Sequence, residues 1–187
     1  SQMAIQTLNR AFEYDWVIGS HPEEINDNLF ITNPDSPLSE ILAEKWNGRR
    51  YHTLRLFTGS TDQNGAFIEW CHNQFGIEKC IIASNEENIS FDNNSVGHIP
   101  VEIIIAPIDD SKRMHAKSYI FEGNDGLGAV MGSANCSRRA WLMSPNNGGN
   151  VEAIVIYDDI GKNDLEEIIA RFPSTQKSIN EISISSY

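Results

Sequence analysis

Two short runs with scarcely a polar side chain, residues 79–83 (Lys-Cys-Ile-Ile-Ala) and 101–106 (Val-Glu-Ile-Ile-Ile-Ala), constrain this chain most. Apolar runs of this length between polar segments read as strands buried on both faces, and such strands sit in sheets covered above and below. The neighbouring segments supply strands and cover. Residues 51–58 alternate as a strand. Residues 66–74 form a helix with Phe67, Ile68, Cys71 and Phe75 on one face and Gly76 as its stop. Residues 85–97, rich in Asn and Ser, read as a loop. Further on, 117–121, 129–131 and 151–157 read as strands, 122–128 as a turn rich in Gly, Asn and Asp, and 137–142 as a short helix. Asn163 and Glu166 resemble a capping box opening a last helix that Pro173 ends. The Ser-rich tail after 174 is a final strand or loose chain. The order predicts an α/β fold, a mixed central β-sheet flanked by helices.

Residues 1–50 are expected to form an N-terminal extension packing on a domain of residues 51–187. Residues 3–16 have helical apolar spacing, and 16–18 and 29–31 suit short strands. Ser36-Pro37 suits a helix start, with Ser as cap and Pro in the first turn, and Gly48 a stop. No chemistry is legible here; packing or contact with a partner is the expectation.

The chain has a formal net charge of −12, which disfavours a surface built to grip long nucleic acid. The charge is uneven, however. Residues 111–150 carry Lys112, Arg113, Lys117, Arg138 and Arg139 against Glu122 and Asp125. A basic patch on an acidic body suits a phosphate site of limited extent. Three cysteines without a CxxC pair point to a reducing, cytoplasmic setting and to small buried side chains. Cys136, beside two arginines, is the one to watch. No apolar run is long enough to span a bilayer, so no membrane is expected, and residues 1–10 lack a secretory signal pattern.

The chemistry concentrates in two stretches. Met114-His115-Ala116-Lys117 enters a strand, so His115 and Lys117 fall on one side of it. Met131-Gly132-Ser133-Ala134-Asn135-Cys136-Ser137-Arg138-Arg139 leaves a second strand through an elbow into a helix. An imidazole, an ammonium and an elbow with free backbone N–H groups suit attack on a phosphodiester. Asn150-Val151-Glu152 follows before the next strand.

His115-x-Lys117 followed by Gly132-Ser133-x-Asn135 resembles the signature of the phospholipase D superfamily. The stretch 131–141 and the Asn150-x-Glu152 element are most similar to its nuclease-like branch. The resemblance covers roughly residues 51–160 and implies a metal-independent phosphodiesterase without cofactor. It implies that His115 attacks phosphorus to form a covalent phosphohistidine, while a second His protonates the leaving oxygen. Lys117 and Asn135 would neutralise and hydrogen-bond the phosphate oxygens. Ser133, Gly132 and the N–H groups at the helix start would add an anion cradle. Asn150, Arg138 and Arg139 would bind substrate, and Glu152 would fix the tautomer of His115.

Two departures carry consequences. The family's acidic residue maps to Glu122 counting from Lys117 and to Asp125 counting back from Gly132, so the turn holds an insertion. A solvated turn is the reading favoured for both. The mechanism needs two HxK copies, and His21, His52, His72 and His98 have no Lys two residues on. A homodimer completing the active site is therefore expected; the alternative is a second copy from a missing part of a longer protein. The partner is expected to be nucleic acid, DNA first, in a bacterial restriction, repair or defence setting. The alternatives are a phospholipid or other phosphodiester hydrolase, and a non-catalytic anion- or nucleic-acid-binding dimerisation module.

Overall fold

The structure is a computed structural model that describes residues 28–91, 95–105, 116–124, 126–163, 165–166 and 176–178. The expected helix at 3–16, the strand at 16–18, the side chains of His115 and Asp125, most of the last helix and the end of the tail lie outside the described residues.

The described strands are β1 (Leu29–Ile31), β2 (Thr53–Phe57), β3 (Lys79–Ser84), β4 (Val101–Ile105), β5 (Ser118–Gly123), β6 (Gly126–Gly132), β7 (Ala153–Tyr157) and β8 (Gln176–Ser178). They form one mixed sheet in the order β1-β7-β6-β5-β2-β3-β4-β8. The two apolar runs at 79–83 and 101–106 are β3 and β4, parallel to each other and to β2. The other pairings are antiparallel. The α/β class and the mixed, helix-flanked sheet are thus as expected.

Alternation along the strands sorts the side chains. Leu54, Leu56, Cys80, Ile82, Tyr119, Phe121, Val130, Ile154 and Ile156 face the larger core, roofed by α1 (Leu38–Lys45), α2 (Ala66–Phe75) and α3 (Arg138–Trp141). Phe57, Ala83, Ile120, Leu127 and Ala129 face a smaller core closed by Leu165. Residues 162–163 and 165–166 are helical, at the start of the predicted last helix.

Residues 28–50, expected to pack on the domain, add the edge strand β1 against β7 and bring Leu38, Leu42 and Trp46 into the larger core at zero exposure. Pro37, in extended conformation, holds the cap position of α1 in place of Ser36. The Asn/Ser-rich loop between β3 and β4 differs from a purely polar connection. Its Ile89, Phe91, Val96 and Ile99 are buried and plug the larger core.

The turn expected over 122–128 is a correction. β5 runs to Gly123 and β6 starts at Gly126, with Gly123 paired to Gly126, so only two residues turn. The glycines there serve close packing rather than a long loop. A Cβ on Gly128 would lie 2.7 Å from Cζ2 of Trp46 and 2.9 Å from the hydroxyl of Tyr51. Trp46 lies edge-on to Phe121, 5.0 Å between ring centres, and donates its indole N–H to Asp158 at 3.0 Å. Neither ring has room to retreat. Gly128→Ala is expected to destabilise the fold by about 1–3 kcal/mol, the usual cost of overpacking, read as a lower midpoint in urea denaturation.

Candidate active site

The site forms where β5, β6 and β7 end side by side. Lys117 enters β5, and its carbonyl accepts from the N–H of Gly132 at the end of β6 (3.1 Å). Gly132 must be glycine: a Cβ there would sit 2.1 Å from the carbonyl oxygen of Ala153. This close approach lets Ser133 reach the start of β7. Its N–H donates to the Ala153 carbonyl (2.9 Å), and its hydroxyl accepts from the Ala153 N–H (3.0 Å). The same hydroxyl donates to Oε2 of Glu152 through a short hydrogen bond.

Glu152 is 8% exposed. Its other carboxylate oxygen accepts from Nδ2 of Asn150 at 3.0 Å. A carboxylate withdrawn from water needs such donors. Its charge raises the Lys117 amine, while burial, the larger effect, lowers that amine below the ordinary lysine value. Lys117, Ser133, Asn150 and Glu152 thus form one cluster from three separate segments. His115 lies outside the described residues.

The elbow after Gly132 is held from both sides. Tyr119, buried in the core, donates its hydroxyl to the Ala134 carbonyl (2.7 Å), and Trp141 donates its indole N–H to the same hydroxyl (3.2 Å). Thr58, at the end of β2, accepts from the Cys136 N–H at 3.1 Å. Asn135 sits between these anchors with its side-chain oxygen buried and without a hydrogen-bond partner. Among the described residues it is the one such side-chain atom.

Three sequence expectations meet the structure differently. Two of the N–H groups expected as an anion cradle at the helix start are taken by side chains, that of Ala140 by the Ser137 hydroxyl at 3.3 Å and that of Arg138 by Asp62. The carboxylate of Asp62 accepts from the Arg138 N–H and, at 3.3 Å, from the Ala66 N–H, so it already fills that position. Glu122 is not beside Lys117; it is paired with Thr53 at the far end of β5 and ion-paired with Arg55 through a short contact. Asp125 lies outside the described residues. Cys136 is the small buried side chain expected, and burial pushes its thiol well above the usual range. Ser133 is exposed at the cleft, with its hydroxyl engaged by Glu152 and Ala153.

Arg138 and Arg139 are exposed at the start of α3, and Arg139 donates from Nε to the Gly148 carbonyl at 3.2 Å. Trp141 is at zero exposure and stacks on Phe67, 4.3 Å between ring centres, so it is a core residue. Spacing alone could not have found Thr58 or Asp62, because neither belongs to a motif; each acts through the loop it meets in space. A cleft of 420 Å³ opens beside Lys117, Gly132 and Ser133 and continues over Met131, Val155 and Leu29. Among the described residues no group of three or more His, Cys, Asp or Glu is arranged to hold a metal, and no helix is long and apolar enough to cross a membrane.

No protein-family model matches the sequence, and comparison with curated proteins finds no match. Solved structures are similar to it at low identity. Yeast tyrosyl-DNA phosphodiesterase shares 15% identity at a TM-score of 0.47, over 82% of this chain and 39% of that one. Nuc from Salmonella typhimurium, a phospholipase D family member, shares 14% at 0.45, over 76% and 89%. Polyphosphate kinase from Porphyromonas gingivalis shares 18% at 0.46, over 89% and 24%. The chain spans about two fifths of the length of the yeast enzyme.

Proposed function

We propose that this chain is a metal-independent phosphodiesterase of the phospholipase D type, a nuclease acting on DNA. The observation that carries the reading is the cluster of Lys117, Ser133, Asn150 and Glu152 at the joined ends of three strands. His115, two residues before Lys117, completes it as nucleophile.

In this reading a ring nitrogen of His115 bonds to phosphorus as the bond to the leaving oxygen breaks. The imidazolium of His115 from a second copy of the chain protonates that oxygen. Water then attacks the phosphohistidine, giving its proton to the now neutral second imidazole, and the P–N bond breaks to release a phosphate monoester. Lys117 neutralises the non-bridging oxygens, where charge builds in the transition state. Asn135 presents its amide to the same oxygens. Glu152, held by Ser133 and Asn150, accepts from the other ring nitrogen of His115 and sets its tautomer. Arg138 and Arg139 meet flanking phosphates. The acidic body limits the contact to a few phosphates around the site.

One observation favours a second reading. The cleft leading away from Lys117 is lined largely by apolar side chains, among them Leu29, Met131, Ile154 and Val155. A phospholipid, or another phosphodiester with an apolar substituent, would fit that lining.

On supercoiled plasmid and single-stranded DNA in EDTA, the wild-type protein is expected to cut and His115→Ala to lose roughly a thousandfold or more in rate. Cutting that EDTA abolishes would sink the phosphohistidine route; hydrolysis of phospholipid vesicles without cutting of DNA would favour the second reading. The same protein should sediment at twice its 21.0 kDa mass. Above the pH at which the second imidazole loses the proton it must donate, the profile carries a further alkaline limb set by Lys117. Burial lowers its pKa, so the required cation is lost, and activity falls, at a pH below the ~10.4 of an exposed lysine. Glu152→Gln removes a charge that raises Lys117, so its alkaline limb should move to still lower pH. Lys117→Arg should abolish that limb in whatever activity remains, because guanidinium does not titrate there.

A further inference from the structure

The segment in which the sequence shows no chemistry reaches the centre of the site. Thr32 directly follows β1, whose last residue Ile31 pairs with Ala153, the first of β7. It is 3% exposed. Its backbone N–H donates to the Glu152 carbonyl at 2.9 Å, and its hydroxyl donates to the same carbonyl at 2.9 Å. The hydroxyl also accepts from the Glu152 N–H at 2.8 Å. One side chain therefore satisfies both backbone groups of a buried residue that stands just outside the sheet's regular ladder. Left unpaired, those groups would carry the full cost of burial. A β-branched side chain has few rotamers, so the grip is stiff.

The next residues extend the hold. The Pro34 carbonyl accepts from the Asn146 N–H at 3.0 Å, and Asp35 accepts from the Asn146 side chain at 2.7 Å. Residues 32–35 thus brace the loop that delivers Asn150 and Glu152. On the opposite side of Glu152, Ser133 and Asn150 hold the two carboxylate oxygens. The carboxylate is fixed only if backbone and side chain are both held.

Resting on the reading above, we propose that Thr32 is a positioning residue for the reaction: it acts through the backbone of Glu152 to place the carboxylate that serves the nucleophile. The N-terminal extension is then part of the catalytic apparatus rather than a packing accessory. Misplacement of a catalytic group by a fraction of an ångström to an ångström costs one to two decades in rate.

The test uses bis(4-nitrophenyl) phosphate with the full chain. Thr32→Val keeps the shape and removes the hydroxyl; kcat should fall about tenfold with KM unchanged. Thr32→Ser restores the hydroxyl, and kcat should return to near the wild-type value. In a Glu152→Gln background, Thr32→Val should lower kcat no further, because residues that act as one unit are not additive. Thermal unfolding of each variant establishes that it is folded at the assay temperature. Should Thr32→Val not fold, the decision passes to Thr32→Ser: kcat as low as that of Glu152→Gln would overturn the proposal, and near-wild-type kcat would uphold the role of the hydroxyl. Wild-type kcat in folded Thr32→Val, or a full additional loss in the double variant, would reduce Thr32 to a structural residue. A folded wild-type protein that hydrolyses no phosphodiester would instead sink the phosphodiesterase reading itself, and this proposal with it.

Discussion

The site hangs on one half-buried junction, where the hydroxyl of Ser133 meets the carboxylate of Glu152. A buried carboxylate is costly unless donors surround it, so the segments that supply those donors must stay together. Ser133 comes from the end of β6, Asn150 from the loop after α3, and the backbone grip on Glu152 from the residue after β1. Sheet order makes this possible, since β1, β7, β6 and β5 are consecutive neighbours. The side-chain-free edge of Gly132 lets β6 and β7 approach closely enough for the contact. Lys117 then arrives beside the carboxylate by strand pairing alone.

Behind this junction the elbow after β6 is fixed by the core rather than by itself. Tyr119 and Trp141 are both buried and share one hydrogen-bonded chain that ends on the Ala134 carbonyl. Thr58 holds the next turn from the neighbouring strand. Asn135 is thereby placed among rigid neighbours with its side-chain oxygen still lacking a partner. Asp62 has a separate task. It caps two helix starts at once, which ties α2 to α3 and places a negative charge where a phosphate would otherwise be drawn.

Much of the fold was legible because its signals are local. The apolar runs of β3 and β4, the amphipathic face of α2 and its glycine stop follow from periodicity and from the left-handed conformation that Gly76 adopts. The hairpin was misread for a physical reason. Glycine serves both turns and close packing, and only the position of Trp46, far off in sequence, shows that Gly128 serves packing. The segment before β4 is the loop expected, but its plugging of the core was not legible, since four isolated apolar residues carry no period. Glu122 fitted a motif count, yet the length of β5 carries it away from Lys117 to Arg55.

The sequence by itself determined the chemistry on offer: an imidazole and an ammonium two residues apart, a Gly-Ser-x-Asn elbow and an Asn-x-Glu pair, all within an α/β order. Residue type and short spacing are local properties, and a chain displays them unfolded. Tertiary structure decided which groups meet. It tied the hydroxyl of Ser133 to Glu152, set Asp62 against the first N–H of two helices, buried Cys136 and brought Thr32 from the N-terminal extension to the backbone of Glu152. Those outcomes depend on strand order and on the need of each buried polar group for a partner. Neither is written in any short stretch of the chain.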